Sequence, residues 1–228
     1  MGAINVKVHY LYHSGFVVET THRLLIFDYY QGTVPLGDKP VYVFSSHSHP
    51  DHYNPVILSW PTERTNIQYV FSSDIQVKQP QRNITIMSPY EEILVDDIRI
   101  KTFGSTDLGV SFLVSCEGID IFHAGDLNWW YWWEDSPAGI AEAEAAFKSE
   151  IAKIKGEHID LAFFPVDPRL EHNYGLGAEY FIKEIKPRFL IPMHFGDDCQ
   201  VAVTFTDSMH NCSTKVIALT RREQSICL

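Results

Sequence analysis

Nine residues, SSHSHPDHY (Ser45–Tyr53), follow directly on the apolar run VYVF (Val41–Phe44). The apolar run has no polar alternation to mark a solvent side, so it reads as a strand buried on both faces. The turn after it carries His47, His49, Asp51 and His52 within six consecutive positions. Donors of this kind at a strand end need further donors from other strand ends, because sites on open sheets gather where several strands finish. His47 and His49, two apart on extended backbone, point the same way. Asp51 and His52 must then turn toward a second point, so one turn can offer two donors to each of two neighbouring cations. Imidazole and carboxylate suit zinc, manganese or iron better than calcium. The plain alternative is a histidine-rich surface loop, and the position after a buried strand counts against it.

The first half of the chain reads as short strands. INVKVHYLY and FVVET alternate, RLLIFD is a buried run ending in Asp28, and NPVILSW suits a short helix. IQYVFSS and NITIMS follow as strands, then EILV, DIRIKTF, GVSFLVS and IDIFHA as a meander. Ser136 can cap a helix with Pro137 at its first position, and Ile140, Phe147, Ile151 and Ile154 fall on one face. IDLAFFPV is a strand. A second helical stripe (Ala178, Phe181, Ile182, Ile185) stops at Pro187, FLIPMH is a strand ending in His194, and KVIALT is the last strand expected. Strands first, then helix and strand in alternation, predict a layered α/β architecture of two sheets covered by helices. With 228 residues, a single domain over residues 1–228 is the default.

The formal net charge of −11 argues against binding to a phosphate backbone, which needs Lys and Arg. It leaves room for a small anionic substrate at a cation. Cys116, Cys199, Cys212 and Cys227 form no CxxC pair and read as reduced thiols. The amino-terminal stretch has no apolar core of a signal peptide, and no run approaches a membrane span. A cytoplasmic protein with no membrane or nucleic-acid partner is expected.

Two more donors sit at expected strand ends: Asp126, which ends IDIFHAGD, and His194, which ends FLIPMH. Taken with HSHPDH, this order resembles the metallo-β-lactamase superfamily of metal-dependent hydrolases. Asp28 matches that family's early aspartate, which braces the histidine turn. HSGF (His13–Phe16), HAGDL (His123–Leu127) and IPMHF (Ile191–Phe195) resemble a short branch related to the L-ascorbate-6-phosphate lactonase group. The resemblance implies a four-layer αβ/βα sandwich. It also implies that His47 and His49 hold a first metal, that Asp51, His52 and His194 hold a second, and that Asp126 bridges them. A metal-bound hydroxide would then attack a small ester, lactone or phosphoester, with Asp51 orienting the water and taking its proton. One or two divalent ions are implied, zinc first and manganese or iron as alternatives.

One element of the family pattern is missing. A third histidine for the first metal normally stands between the turn and the Gly-Asp, and the matching stretch, FGSTDLGVSF (Phe103–Phe112), has none. Asp107 is the nearest candidate substitute; His123 or His13 could swing in; water or an empty first site are the other options. His123 lies three residues before Asp126, where alternation turns it to the opposite face, so bonding a ligand or substrate oxygen suits it better than coordination. Asp167, Arg169 and His172 in PVDPRLEHNYG are candidate substrate contacts or a surface turn. Trp129, Trp130, Tyr131, Trp132 and Trp133 in succession can pack on their own domain, pave a substrate pocket, or bury against a second copy of the chain. Two readings stay open: a hydrolase, and a non-hydrolytic metal- or ligand-binding member with a degraded first site. An iron oxidoreductase is disfavoured because the related diiron proteins place Glu where this chain has His49, and a ribonuclease because no basic arm is present.

Overall fold

The alternating segments of the first half become the strands of one sheet. In the computed structural model, which describes residues 4–60, 66–77 and 83–228, β1 (Lys7–Tyr12), β2 (Gly15–Glu19), β3 (Leu24–Phe27), β4 (Val41–Ser45), β5 (Ile67–Ser72) and β6 (Ile84–Met87) lie side by side in chain order. β1 to β3 are antiparallel and β3 to β6 parallel. The second sheet begins as an antiparallel meander of β7 (Glu92–Val95), β8 (Ile98–Phe103), β9 (Ser111–Cys116) and β10 (Ile119–His123). It continues in parallel through β11 (Leu161–Pro165), β12 (Phe189–Met193) and β13 (Lys215–Val216). Parallel neighbours need crossovers, and α1 (Pro137–Ile154), α2 (Leu176–Ile185) and α3 (Cys199–Ser208) provide them.

The β4 strand shows why its sequence lacks alternation. Val41 and Val43 enter an outer cluster with Val17, Leu24, Ile26 and Ile57, while Tyr42 and Phe44 face the core between the sheets. Phe44 meets Phe112 of the opposite sheet at 5.5 Å, and Phe16 stacks on Phe163 at 4.3 Å. These rings are fully buried, and truncating one to Ala would cost roughly 3–5 kcal/mol. The two sheets therefore pack face to face, with α1 and α2 on the outside of the second, as an αβ/βα sandwich requires. Over the first sheet, the described residues supply a 3₁₀ turn (Pro55–Ser59) capped by the Asn54 side chain.

Ser136 caps α1 by accepting the Gly139 N–H at 3.1 Å, and Phe147, Ile151 and Ile154 are its buried face. Two elements depart from the sequence expectation. Cys199–Ser208 is helical although rich in Val and Thr; it buries Ala202 and Phe205, a stripe too narrow to read from periodicity. KVIALT pairs only through Lys215 and Val216, and the chain returns to the first sheet as β14 (Ser225–Cys227), antiparallel to β1. Among the described residues no helix is long and apolar enough to cross a membrane.

Candidate metal centre

Asp28, one residue past β3, organises the histidine turn. It is fully buried, sits at φ +44°, and takes the Ser46 N–H on Oδ1 at 2.7 Å. Its Oδ2 accepts from the Ser46 hydroxyl at 2.6 Å and from His52 Nδ1–H at 2.7 Å. With its hydroxyl proton committed to Asp28, Ser46 Oγ accepts from His47 Nδ1–H at 3.0 Å. One carboxylate thereby fixes the Nδ1 proton of both imidazoles and turns His47 Nε2 and His52 Nε2 toward Asp126. Glycines make room for the turn: a Cβ on Gly109 (φ +72°) would lie 2.0 Å from the Ser46 carbonyl oxygen, and one on Gly125 (φ +54°) 2.7 Å from the Ser46 Cβ.

Two donor groups adjoin at this edge. His13, Asp51, His52 and His194 form one, and His47, His49 and Asp126 the other, with the donor atoms of each group within 4.8 Å of one another. Asp126 touches both: its Oδ1 lies 3.1 Å from His52 Nε2 and from His194 Nε2, and its Oδ2 lies 3.4 Å from His47 Nε2. His13 reaches Asp51 Oδ2 at 3.4 Å and lies ring on ring with His194 at 4.0 Å. Its carbonyl accepts the His194 N–H at 3.1 Å. His13 and His194 both hold positive φ, +56° and +68°, a cost that non-glycine residues carry chiefly at functional sites. The donor set fits a cation. His13 Nε2, His52 Nε2, His194 Nε2 and Asp126 Oδ1 are all buried without an aligned hydrogen-bond partner, which natural structures otherwise avoid.

The electrostatics agree. Burial opposes ionisation of Asp126, yet the charge on His52 and the bond from His194 hold its carboxyl well below the usual range. Burial likewise disfavours a charged His52, but Asp126 and Asp28 outweigh it and raise the imidazole to about 10. His47 is pushed down to about 4 by burial and by the His52 charge. An edge that draws protons onto buried imidazoles is one that lacks positive charge.

The other expected residues are placed as follows. Asp107 is 46% exposed at the rim, 3.8 Å from His49 Nδ1, and does not join the His47–His49–Asp126 group. The Thr106 hydroxyl anchors on the Asn128 carbonyl at 2.6 Å, and Asp107 beside it lines the rim of the cavity over the donors. His123 does not reach the cavity: it is fully buried, donates from Nε2 to the Ser14 carbonyl at 2.9 Å, and accepts the Gly125 N–H on Nδ1 at 3.2 Å. With both nitrogens committed, it stacks on Phe27 at 5.3 Å and supports the floor beneath Asp28. His13, expected near the metals or as a substitute donor at the first, belongs instead to the Asp51 group; the signal was the HSGF motif. Asp167 is buried and accepts from His194 Nδ1–H at 3.0 Å, so it orients that imidazole. Burial opposes it, but the bonds from His194 and Arg169 hold the Asp167 carboxyl down at about 2. His172 is exposed and lines no part of the cavity.

A cavity of about 380 Å³ opens over the donors, lined by Asp51, Asp126 and His194 and walled by Trp130, Trp132 and Arg169. The tryptophan segment divides: Trp129 is buried against Phe147 and Tyr180, Trp130 and Trp132 face the cavity, and Trp133 is exposed. A third acidic group, Asp120, His158 and Asp160, lies elsewhere, with Arg188 3.7 Å from Asp160 supplying its positive charge.

Imidazoles and carboxylates carried to one edge by two facing sheets define a metal-binding protein of the αβ/βα sandwich class. Residues 7–130 match the beta-lactamase superfamily domain, and the chain belongs to that family. A UPF0173 metal-dependent hydrolase of Pyrococcus furiosus is 25% identical over 209 residues, covering 83% of this chain and 84% of the relative. Igni18, a metallo hydrolase from Ignicoccus hospitalis, superposes with a TM-score of 0.66 at 15% identity over 99% of both chains. CmlA, a diiron beta-hydroxylase from Streptomyces venezuelae, gives 0.65 at 10% identity over 100% of this chain and 55% of its own. These two likenesses are likenesses of fold.

Proposed function

We propose that the chain is a metal-dependent hydrolase acting on a small ester, lactone or phosphoester. One observation carries the reading: buried, partnerless nitrogens of His13, His52 and His194 converge with Asp126 Oδ1 beneath an open cavity. His47, His49 and Asp126 would hold one divalent cation. Asp51, His52 and His194 would hold the second, with Asp126 shared and His13 as an added donor. Zinc suits this donor set best, and manganese or iron are the alternatives. Cations there lower the pKa of a water to about 7 and polarise a carbonyl or phosphoryl oxygen. Asp51 opens on the cavity, and its contact with His13 keeps it ionised, so it can orient the water and accept its proton. Asp28 and Asp167 fix the tautomers of His52 and His194. The printed name of the Pyrococcus relative supports the same class. The likeness to the L-ascorbate-6-phosphate lactonase group makes a lactone the first substrate to try. We place the protein in the cytoplasm as one domain. Trp133, 55% exposed, is the residue of the aromatic segment left for a second copy.

The test is elemental analysis of protein purified without chelators, beside chelated and zinc-, manganese- or iron-reconstituted samples, with turnover of an ester, a lactone and a phosphoester. One to two metals per chain and chelator-sensitive turnover are expected. Failure to take up any of the three metals sinks the reading. Metal uptake without turnover would favour the non-hydrolytic alternative, which the three-donor first group with its half-exposed His49 supports.

A further inference from the structure

Trp130 is pinned to the centre. Its Nε1–H donates to the Asp126 carbonyl at 3.1 Å, and its ring meets His194 edge-on at 5.7 Å. Trp132 lies parallel to it, 4° off and 5.9 Å away between ring centres. The Arg169 guanidinium carbon stands 6.0 and 5.8 Å from these two rings. Arg169 donates through Nε and Nη2 to the Asp167 carboxylate, and among the described residues its Nη1 has no hydrogen-bond partner. Arg169 also lines a neighbouring cavity of about 350 Å³ that shares Asp51 and His194 with the first. It therefore stands on the ridge between the two openings, held by the same carboxylate that orients a candidate metal ligand.

These side chains have distinct chemistry. Fixed indoles favour a flat ring, and a guanidinium with a free N–H favours a carboxylate or phosphate. The same cavity carries the carboxylates of Asp51, Asp107 and Asp126, so it repels anions until cations neutralise them.

We propose that the substrate is a small aryl compound bearing an anionic group apart from its scissile bond, with the ring against Trp130 and Trp132 and the anion on Arg169 Nη1. This deepens the hydrolase reading and rests on it only for what happens at the scissile bond. The test is calorimetric binding to the metal-loaded protein of three probes: 3-phenylpropanoate, its uncharged amide, and propanoate. Wild type should bind 3-phenylpropanoate about tenfold or more tighter than the amide, for the charge, and about three- to tenfold tighter than propanoate, for the ring. Arg169→Met should abolish the charge preference, and Arg169→Lys should restore part of it. Trp132→Ala, which leaves Trp130 in place, should weaken the ring preference and leave the charge preference unchanged. Metal content is measured on each variant, so a loosened His194 is recognised as such. A charge preference that survives in Arg169→Met would mean that the cations take the carboxylate directly, and would overturn the assignment. A ring preference unchanged in Trp132→Ala overturns the aryl half. Turnover does not enter these readouts: expected preferences in a protein that hydrolyses nothing would remove the hydrolase reading and leave this one standing.

Discussion

Replacing Asp28 by Asn tests whether one buried carboxylate sets the chemistry of the whole turn. The side chain keeps its shape and loses its charge and one acceptor. If the amide oxygen takes the Oδ2 position, it still accepts from the Ser46 hydroxyl and His52 Nδ1, now found at 2.6 and 2.7 Å. The NH₂ then faces the Ser46 N–H at the 2.7 Å spacing of the present bond, donor against donor, between fully buried residues. Such an unsatisfied buried pair costs about 1–3 kcal/mol. If the amide turns over, its NH₂ donates to Ser46 Oγ and His52 Nδ1. The protons of His47 and His52 then move to Nε2 and occupy the atoms that would bind metal. Either way zinc affinity should fall 10- to 100-fold, as for removal of other outer partners of ligating histidines, equal to about 1.4–2.7 kcal/mol. Competition against a chromophoric chelator gives the affinity, and urea unfolding of the chelated protein gives the stability. An affinity within twofold of wild type, with unchanged stability, would refute the tautomer argument.

Metal titration should be biphasic, because the His13–Asp51–His52–His194 group has four donors and the His47–His49–Asp126 group three; His13→Ala should weaken the tight step and His49→Ala the weak one. Gly109→Ala should destabilise the protein by about 2 kcal/mol or more in chemical unfolding, since the added methyl meets Ser46 at φ +72°. The chelated protein should lose stability as pH rises. His52, raised to about 10 when folded from 6.5, contributes stability that is complete below pH 6.5 and gone above about 10. The metal-loaded protein, in which the cation replaces that proton, should lack this decline in melting temperature.

The strands were legible wherever side chains alternate or an unbroken apolar run is buried on both faces, as in β4. The helix α3 was not, because Val and Thr favour strands and its buried stripe is only Ala202 and Phe205. Around the centre, His47, His49, Asp51, His52, Asp126 and His194 could be gathered because each ends a strand or belongs to the one turn. Sequence proximity brought Asp107 to the rim of the same cavity, 3.8 Å from His49 Nδ1, outside the His47–His49–Asp126 group. Asp167 was legible only as a candidate substrate contact or a turn residue, not as the partner of His194. Its partner His194 lies 27 residues away, and only the parallel pairing of β11 with β12 brings the two strand ends together.

The donors come from both sheets, yet among the described residues no strand of one sheet pairs with a strand of the other. The seam between them is held by side-chain packing and a few loop contacts such as the His194 N–H to the His13 carbonyl, and a bound cation would add a tie at one edge, joining the turn after the first strand of the chain to the end of its twelfth strand. Such a cross-link closes long loops, whose cost grows only slowly with length. At a free metal concentration a hundredfold above Kd it adds about 2.7 kcal/mol. Resistance to unfolding then becomes a property of the surroundings as well as of the chain: where metal is scarce, the two sheets lose one of the ties between them.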